Sequence, residues 1–212
     1  MSKILISGYY GFANAGDEAM LTAIIESLRQ VEKNVELTVL SGNPEDTAAK
    51  HQVCSVYRFN PLGIIRAMKD SELIISGGGS LLQDVTSKRS LLYYLSIIGL
   101  GKFFGKKVML FAQGIGPIRA KWARKLTSLV CNEADLITVR DSESAAELIE
   151  MGVKPEKITV TADSVLSLNP VTKECGQYLL QEAGVDLTKP VIGISVRPWS
   201  GDSQCFQVLA EA

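Results

Sequence analysis

Residues 3–20 read KILISGYYGFANAGDEAM. The first five are a short, β-branched apolar run. Glycine then interrupts it, and an amphipathic stripe of Ala19, Leu21, Ala23, Ile24, Ile25 and Leu28 runs from Asp17 to about Gln30, with Asp17 and Glu18 in its first turn. Strand, glycine turn and helix in that order are the opening of a parallel βαβ unit. The same grammar repeats outward along the chain. Val35–Leu40, Leu73–Ser76, Lys107–Ala112, Leu136–Val139 and Ile158–Thr161 are short apolar runs, and residues 121–134 and 142–151 carry helical periodicity, the latter stopping at Gly152. The alternation predicts an α/β fold built on a Rossmann-like parallel sheet.

Composition narrows the function classes. With 46% hydrophobic and 21% charged residues and a net charge of -1, the chain has neither the composition of a disordered polymer nor the basic surplus of a general nucleic-acid binder, so no nucleic acid is expected as a partner. Cys54, Cys131, Cys175 and Cys205 show no CxxC or Cys/His spacing, and His51 is the one histidine, which argues against both a metal centre and a disulfide framework. The apolar run at Ile4–Ile6 is too short for a signal-peptide core, and the expected location is the cytoplasm. Residues 90–107, SLLYYLSIIGLGKFFGKK, are flanked by Lys and Arg but too short to span a bilayer. They read as a buried helix, with peripheral contact at the inner membrane face as the alternative.

The rhythm breaks near Asn169 and Pro170. Residues 1–168 are expected to form one Rossmann-like domain and residues 169–190 a linker with a short helix at about Lys173–Ala183. KPVIGISVRPW then predicts a buried strand starting at Val191, the start of a second α/β domain over residues 191–212. Because the last residues, QVLAEA, read as part of the helix after that strand, the expectation is a truncated two-domain protein.

Ligands of parallel α/β sheets bind beyond the C-terminal ends of the strands, so the strand-end loops hold the candidate site. Gly77, Gly78 and Gly79 would let backbone approach an anion or sugar, with a helix from about Ser80 aiming free N–H groups at it. Without GxGxxG spacing they could equally form a tight turn. Gln113, Gly114, Gly116 and Pro117 repeat the theme at the next strand. Arg140 could clamp a carboxylate or phosphate, or pair with Asp141 to fix the next helix, which Asp141 or Ser142 would cap. Asp163 is ambiguous between loop cap and ligand contact. In the opening stretch Asn14 and Gly16 suit positive φ, and Asp17 either caps the first helix or faces the cleft as a base. Asn14, Asp17 and Glu18 beside Tyr9, Tyr10 and Phe12 exceed what capping needs and suit a sugar site, although Tyr10 and Phe12 could pack under the loop.

GYYGFANAGDEAML, SGGGSLLQD, AQGIGP, TVRDSES and SVRPW, in that order, resemble the polysaccharide pyruvyl transferase family, and within it the bacterial branch that pyruvylates secondary cell-wall polymer, the anchor of surface-layer proteins. The resemblance implies the N-terminal, acceptor-side half of a GT-B-like two-domain fold. It implies transfer of pyruvate from phosphoenolpyruvate, a donor substrate needing no cofactor, to a 4,6-ketal on a ManNAc residue of a lipid-linked saccharide, with release of phosphate. On these residues it implies Asp17 as catalytic base. Tyr10, Asn14, Gly16, Glu18, Gly78, Gly79, Gln113, Arg140 and Arg197 would contact substrate, Arg140 and Arg197 as anion clamps. Family members also place a histidine and basic donor-site residues in a second domain, so these 212 residues alone are expected to be inactive. Glycine is frequent in the family where Ala13 stands. A nucleotide-sugar-dependent GT-B glycosyltransferase and a non-catalytic saccharide-binding domain are the competing readings.

Overall fold

The computed structural model describes residues 2–85, 87–194 and 207. The chain divides into two compact units, Met1–Leu168 and Asn169–Ala212. Unit one is a seven-stranded sheet of β1 (Lys3–Tyr10), β2 (Glu36–Ser41), β3 (Cys54–Tyr57), β4 (Leu73–Gly77), β5 (Lys107–Gln113), β6 (Leu136–Val139) and β7 (Ile158–Val160). Every pairing is parallel and the spatial order is β3-β2-β1-β4-β5-β6-β7. Helices α1 (Ala15–Val31), α2 (Pro44–His51), α3 (Pro61–Asp70), α4 (Lys88–Phe103), α5 (Lys121–Glu133) and α6 (Ser142–Glu150) make the crossovers.

The two-residue period of β1 explains why both sheet faces must be covered. Ile4, Ile6 and Tyr10 enter one buried cluster with Leu21, Ile24 and Ile25 of α1. Leu5 enters the other, with Ile64 and Met68 of α3 and Leu91, Leu95 and Ile98 of α4. At Gly101 of α4, a Cβ would stand 2.7 Å from Ile74 Cδ1 of β4, so that helix lies close on the sheet. The apolar stretch around residues 90–107 is therefore mainly core, although Phe103 is exposed. Among the described residues no helix is long and apolar enough to cross a membrane.

The Rossmann-like parallel sheet read from the sequence is present, with three additions and one correction. β3 escapes periodicity because CSVY is a four-residue edge strand that is nowhere fully buried. The helices beside it do carry start signals, Asn43–Pro44 and Asn60–Pro61, in which each asparagine side chain caps and each proline sits in the first turn. The helix expected near Ser80 begins instead at Lys88, capped by Ser87, because residues 80–85 run as loop with Leu82 bridged to Ile115. In unit two, α7 (Lys173–Glu182) forms as expected. Of the strand expected from Val191, residues 191–194 are exposed and outside any strand, and the rest lies outside the described residues. Arg197 and the final expected helix lie outside the described residues.

Candidate functional site at the strand ends

β1 and β4 are adjacent, and from them the chain winds outward in opposite directions. This topological switch point is where parallel α/β sheets open a crevice at their C-terminal edge. The loops that flank it are the opening glycine stretch and the Gly77–Gly79 run.

The first loop is built around its own hydrogen bonds. Asn14 is the N-cap of α1, its Oδ1 accepting from the backbone N–H of Gly16 at 3.1 Å and of Asp17 at 3.4 Å. Glu18 reaches back to accept from the Gly11 N–H at 2.8 Å, so one of its oxygens holds the loop. The left-handed residues are Gly11 (φ 78) and Ala13 (φ 57), whereas Asn14 has φ -83 and Gly16 lies within the helix, which corrects the expected assignment. With capping supplied by Asn14, the Asp17 carboxylate is released toward the neighbouring loop. Burial, reinforced by the like charge of Glu18, raises its pKa from 3.8 to about 6.

Gly78 (φ 62) and Gly79 (φ 75) require glycine for conformation and for space. A Cβ at Gly79 would stand 3.0 Å from Asp17 Oδ1, and one at Gly78 would stand 3.0 Å from Met20 Cβ. The glycine run thus lets the β4 loop lie directly against the first turns of α1. Asp17, Gly78 and Gly79 come together here, with Asn14 and Gly16 in the adjoining cap.

Two expected substrate contacts are core residues instead. Tyr10 is 1% exposed, and its hydroxyl donates to the Gly77 carbonyl at 2.8 Å, joining β1 to β4 beneath the loops. Gln113 is fully buried, and its amide donates to the Ser76 carbonyl at 3.0 Å and to Ser76 Oγ at 2.8 Å, joining β5 to β4. Neither side chain presents surface to a ligand. The alternation of β1 could have exposed Tyr10's position, since it shares its face with Ile4 and Ile6 through the irregularity between Ser7 and Tyr10.

Arg140 ties together the other strand ends. Its Nε pairs with Asp141, its Nη1 with Asp163 and its Nη2 with Ser80 Oγ, each at 3.3 Å. The guanidinium crosses Gly114, where a Cβ would approach it to 2.7 Å. Asp141 also caps α6 by accepting from the Ser144 N–H at 2.7 Å; the Ser144 side chain first and this backbone bond second lower its pKa, and Asp163 accepts from Val165. Arg140 therefore has two carboxylate neighbours already, and an anion would have to share or displace them.

On the β1–β2–β3 side of the same edge, Tyr9 and Phe12 stack with ring centroids 4.3 Å apart, both 41% exposed. Phe12 rests on Gly42, where a Cβ would clash at 2.6 Å. Beneath them lies Arg58, 4% exposed and directly after β3. Sequence reading passed over it because the strand that positions it was unrecognised. Two cavities of about 380 and 390 Å³ lie elsewhere, one at the starts of β2 and β3 and one beside Asp163–Ser167, and neither is lined by Asp17 or Arg140. Among the described residues no cluster of three His, Cys, Asp or Glu could hold a metal.

The sheet order, the crevice and the glycine-lined strand ends define a Rossmann-like α/β protein. The chain resembles Anabaena HepE in complex with UDP and glucose (TM-score 0.56, 13% identity, 87% of this chain and 50% of that one). It also resembles a glycosyltransferase from Rickettsia africae (TM-score 0.57, 13% identity, 99% and 57%) and the UDP-GlcNAc 2-epimerase of Neisseria meningitidis bound to UDP-GlcNAc (TM-score 0.52, 12% identity, 85% and 50%). At such identities the likeness is one of fold, and the chain spans 50–57% of the length of these structures. No curated protein matches the chain. The family model for polysaccharide pyruvyl transferase matches residues 14–197, and the chain belongs to that family.

Proposed function

We propose that this chain carries the acceptor side of an enzyme that moves pyruvate from phosphoenolpyruvate onto two hydroxyls of one sugar, with Asp17 as the base. The observation that supports the reading most directly is the state of Asp17: it is relieved of capping by Asn14, set against Gly79 at the switch point, and has a pKa raised to about 6. A carboxylate with that pKa is ionised at neutral pH yet basic enough to take a proton from an attacking hydroxyl.

The chemistry has a fixed balance. A proton adds to C3 of phosphoenolpyruvate, and one sugar hydroxyl bonds to C2 as its proton passes to the base. The C2–O bond to phosphate then breaks with its electron pair leaving on phosphate, and the second hydroxyl bonds to C2 as it loses its proton. Asp17 serves the hydroxyl side. Arg140 serves the anionic side by exchanging its 3.3 Å contact with Asp163 for a substrate oxygen. Asn14, Gly16, Gly78 and Gly79 shape the acceptor crevice, and Glu18 acts through its loop. The acceptor is a ManNAc-bearing, lipid-linked saccharide ketalised at its 4 and 6 hydroxyls, the product serves as a surface-layer anchor, and the work is done in the cytoplasm. Exposed Phe103, beside Lys102 and Lys106, offers peripheral contact with the membrane that holds such a lipid.

The test is phosphate release by the complete protein given phosphoenolpyruvate and a ManNAc-terminated acceptor, with Asp17→Asn expected to lower the rate about 10²–10⁴-fold, the usual scale of general-base loss. Turnover of a nucleotide sugar with no phosphate from phosphoenolpyruvate would replace the reading with glycosyl transfer. Saccharide binding without turnover of either donor would leave a binding domain.

A further inference from the structure

Arg58 is a second, independent feature of the strand-end surface. Its backbone N–H donates to the Ser41 carbonyl at 2.9 Å, fixing it where β3 leaves the sheet beside β2. Its side chain is buried without a carboxylate: among the described residues no ion pair includes it. Instead the guanidinium carbon lies 4.4–5.9 Å from the ring centroids of Tyr9, Phe12, Phe59, Tyr93 and Tyr94. Only Nη2 has a hydrogen-bond partner, the Tyr94 hydroxyl at 3.4 Å.

Cation–π attraction offsets part of the penalty for burying this charge, but it does not satisfy in-plane N–H donors. Nε and Nη1 of Arg58 have no partner, nor do two other buried groups, the Ser7 and Tyr93 hydroxyls. The Tyr93 phenol lies near both Ser7 and Arg58, whose influence opposes the rise in pKa that burial gives it. Two unsatisfied nitrogens on one buried cation and the two unsatisfied hydroxyls of Ser7 and Tyr93 are the donor set of an oxyanion site. Above it, Tyr9, Phe12 and Phe59 (61% exposed) offer aromatic surface to solvent. Aromatic faces over a guanidinium suit a sugar ring that carries a negative group.

We propose that Arg58, with the Tyr93 and Ser7 hydroxyls, binds the phosphate of a phosphorylated saccharide whose ring lies against Tyr9, Phe12 and Phe59. The site differs from the Asp17 and Arg140 surfaces and stands whichever donor the enzyme uses, so its failure would leave the pyruvyl transfer reading intact. A rim that is 41–61% exposed can part to admit a phosphate, whereas a core residue such as Tyr10 cannot.

The experiment follows the Arg58 side-chain N–H signal by NMR in the whole chain, assigned by its loss in Arg58→Lys. Five surrounding rings displace that signal from those of other arginines. Inorganic phosphate, glucose 1-phosphate, phosphoenolpyruvate and glucose are the probes, at constant ionic strength. The expected result is a saturable shift with phosphate, about tenfold tighter response to glucose 1-phosphate, equivalent to about 1.4 kcal/mol, and none with glucose. Arg58→Lys, which keeps the charge but loses the planar donors, should still fold and should lose most of the affinity measured by calorimetry. A response to phosphoenolpyruvate as tight as that to glucose 1-phosphate would overturn the saccharide assignment. No saturable shift with any anion up to about 10 mM, weaker than roughly -3 kcal/mol, would overturn the site and leave Arg58 as a packing residue.

Discussion

At the residue scale, Asp17 ties stability to chemistry. Its folded pKa, about 6, exceeds its ordinary value of 3.8, so the folded state binds the proton more tightly than the unfolded chain. The resulting stabilisation is complete below about pH 4 and is lost as pH rises through 6. Asp17→Asn should therefore raise the thermal midpoint at pH 7.5 and make no difference at pH 3.5; equal midpoints at both pH values would place Asp17 in water. If the same group is the base, activity of the complete enzyme should fall on acidification through pH 6. Ala13 offers a contrasting test. At φ 57 its Cβ is strained, by about 1 kcal/mol for a left-handed L-residue, and Ala13→Gly removes that strain while loosening the unfolded chain. The substitution should be neutral or stabilising by up to about 1 kcal/mol in urea unfolding, where glycine for alanine elsewhere costs about as much.

At the scale of elements, the C-terminal edge is held by buried polar links between strands. Tyr10→Phe removes the bond from β1 to the Gly77 carbonyl and should cost about 1–2 kcal/mol in urea unfolding with little change in transition slope. A null effect would mean that the carbonyl finds another partner. The strand–helix alternation was legible because buried parallel strands are continuous apolar runs, and it located the loops that meet at the switch point. Edge strand β3 was not, since half-exposed CSVY lacks such a run, and Arg58 was lost with it. Tyr10 and Gln113 were misassigned for a related reason. A polar atom at a strand end can serve a ligand or a neighbouring strand, and only the pairing of β4 with β1 and β5 distinguishes the two. Asp17 was readable as cap or base; Asn14 takes the cap, and the base role is the one proposed above.

For the molecule as a whole, both hydrophobic clusters draw their buried residues from Ile4 to Val153, inside the first unit. A chain ended after Leu168 should keep a cooperative transition and a midpoint within a few degrees of the 212-residue chain, as followed by circular dichroism. Loss of cooperativity would show that the first unit depends on residues beyond Leu168 for its stability.

Arg140 gives this architecture a mechanical property. One guanidinium touches Ser80 after β4, crosses Gly114 after β5, and holds Asp141 after β6 and Asp163 after β7. It works as a common knot at the ends of separate strands, so any anion that draws it outward slackens all three polar tethers at once. Occupancy of one small point on the rim would then register as altered amide exchange from the glycines after β4 to the turn at Ser164–Ser167.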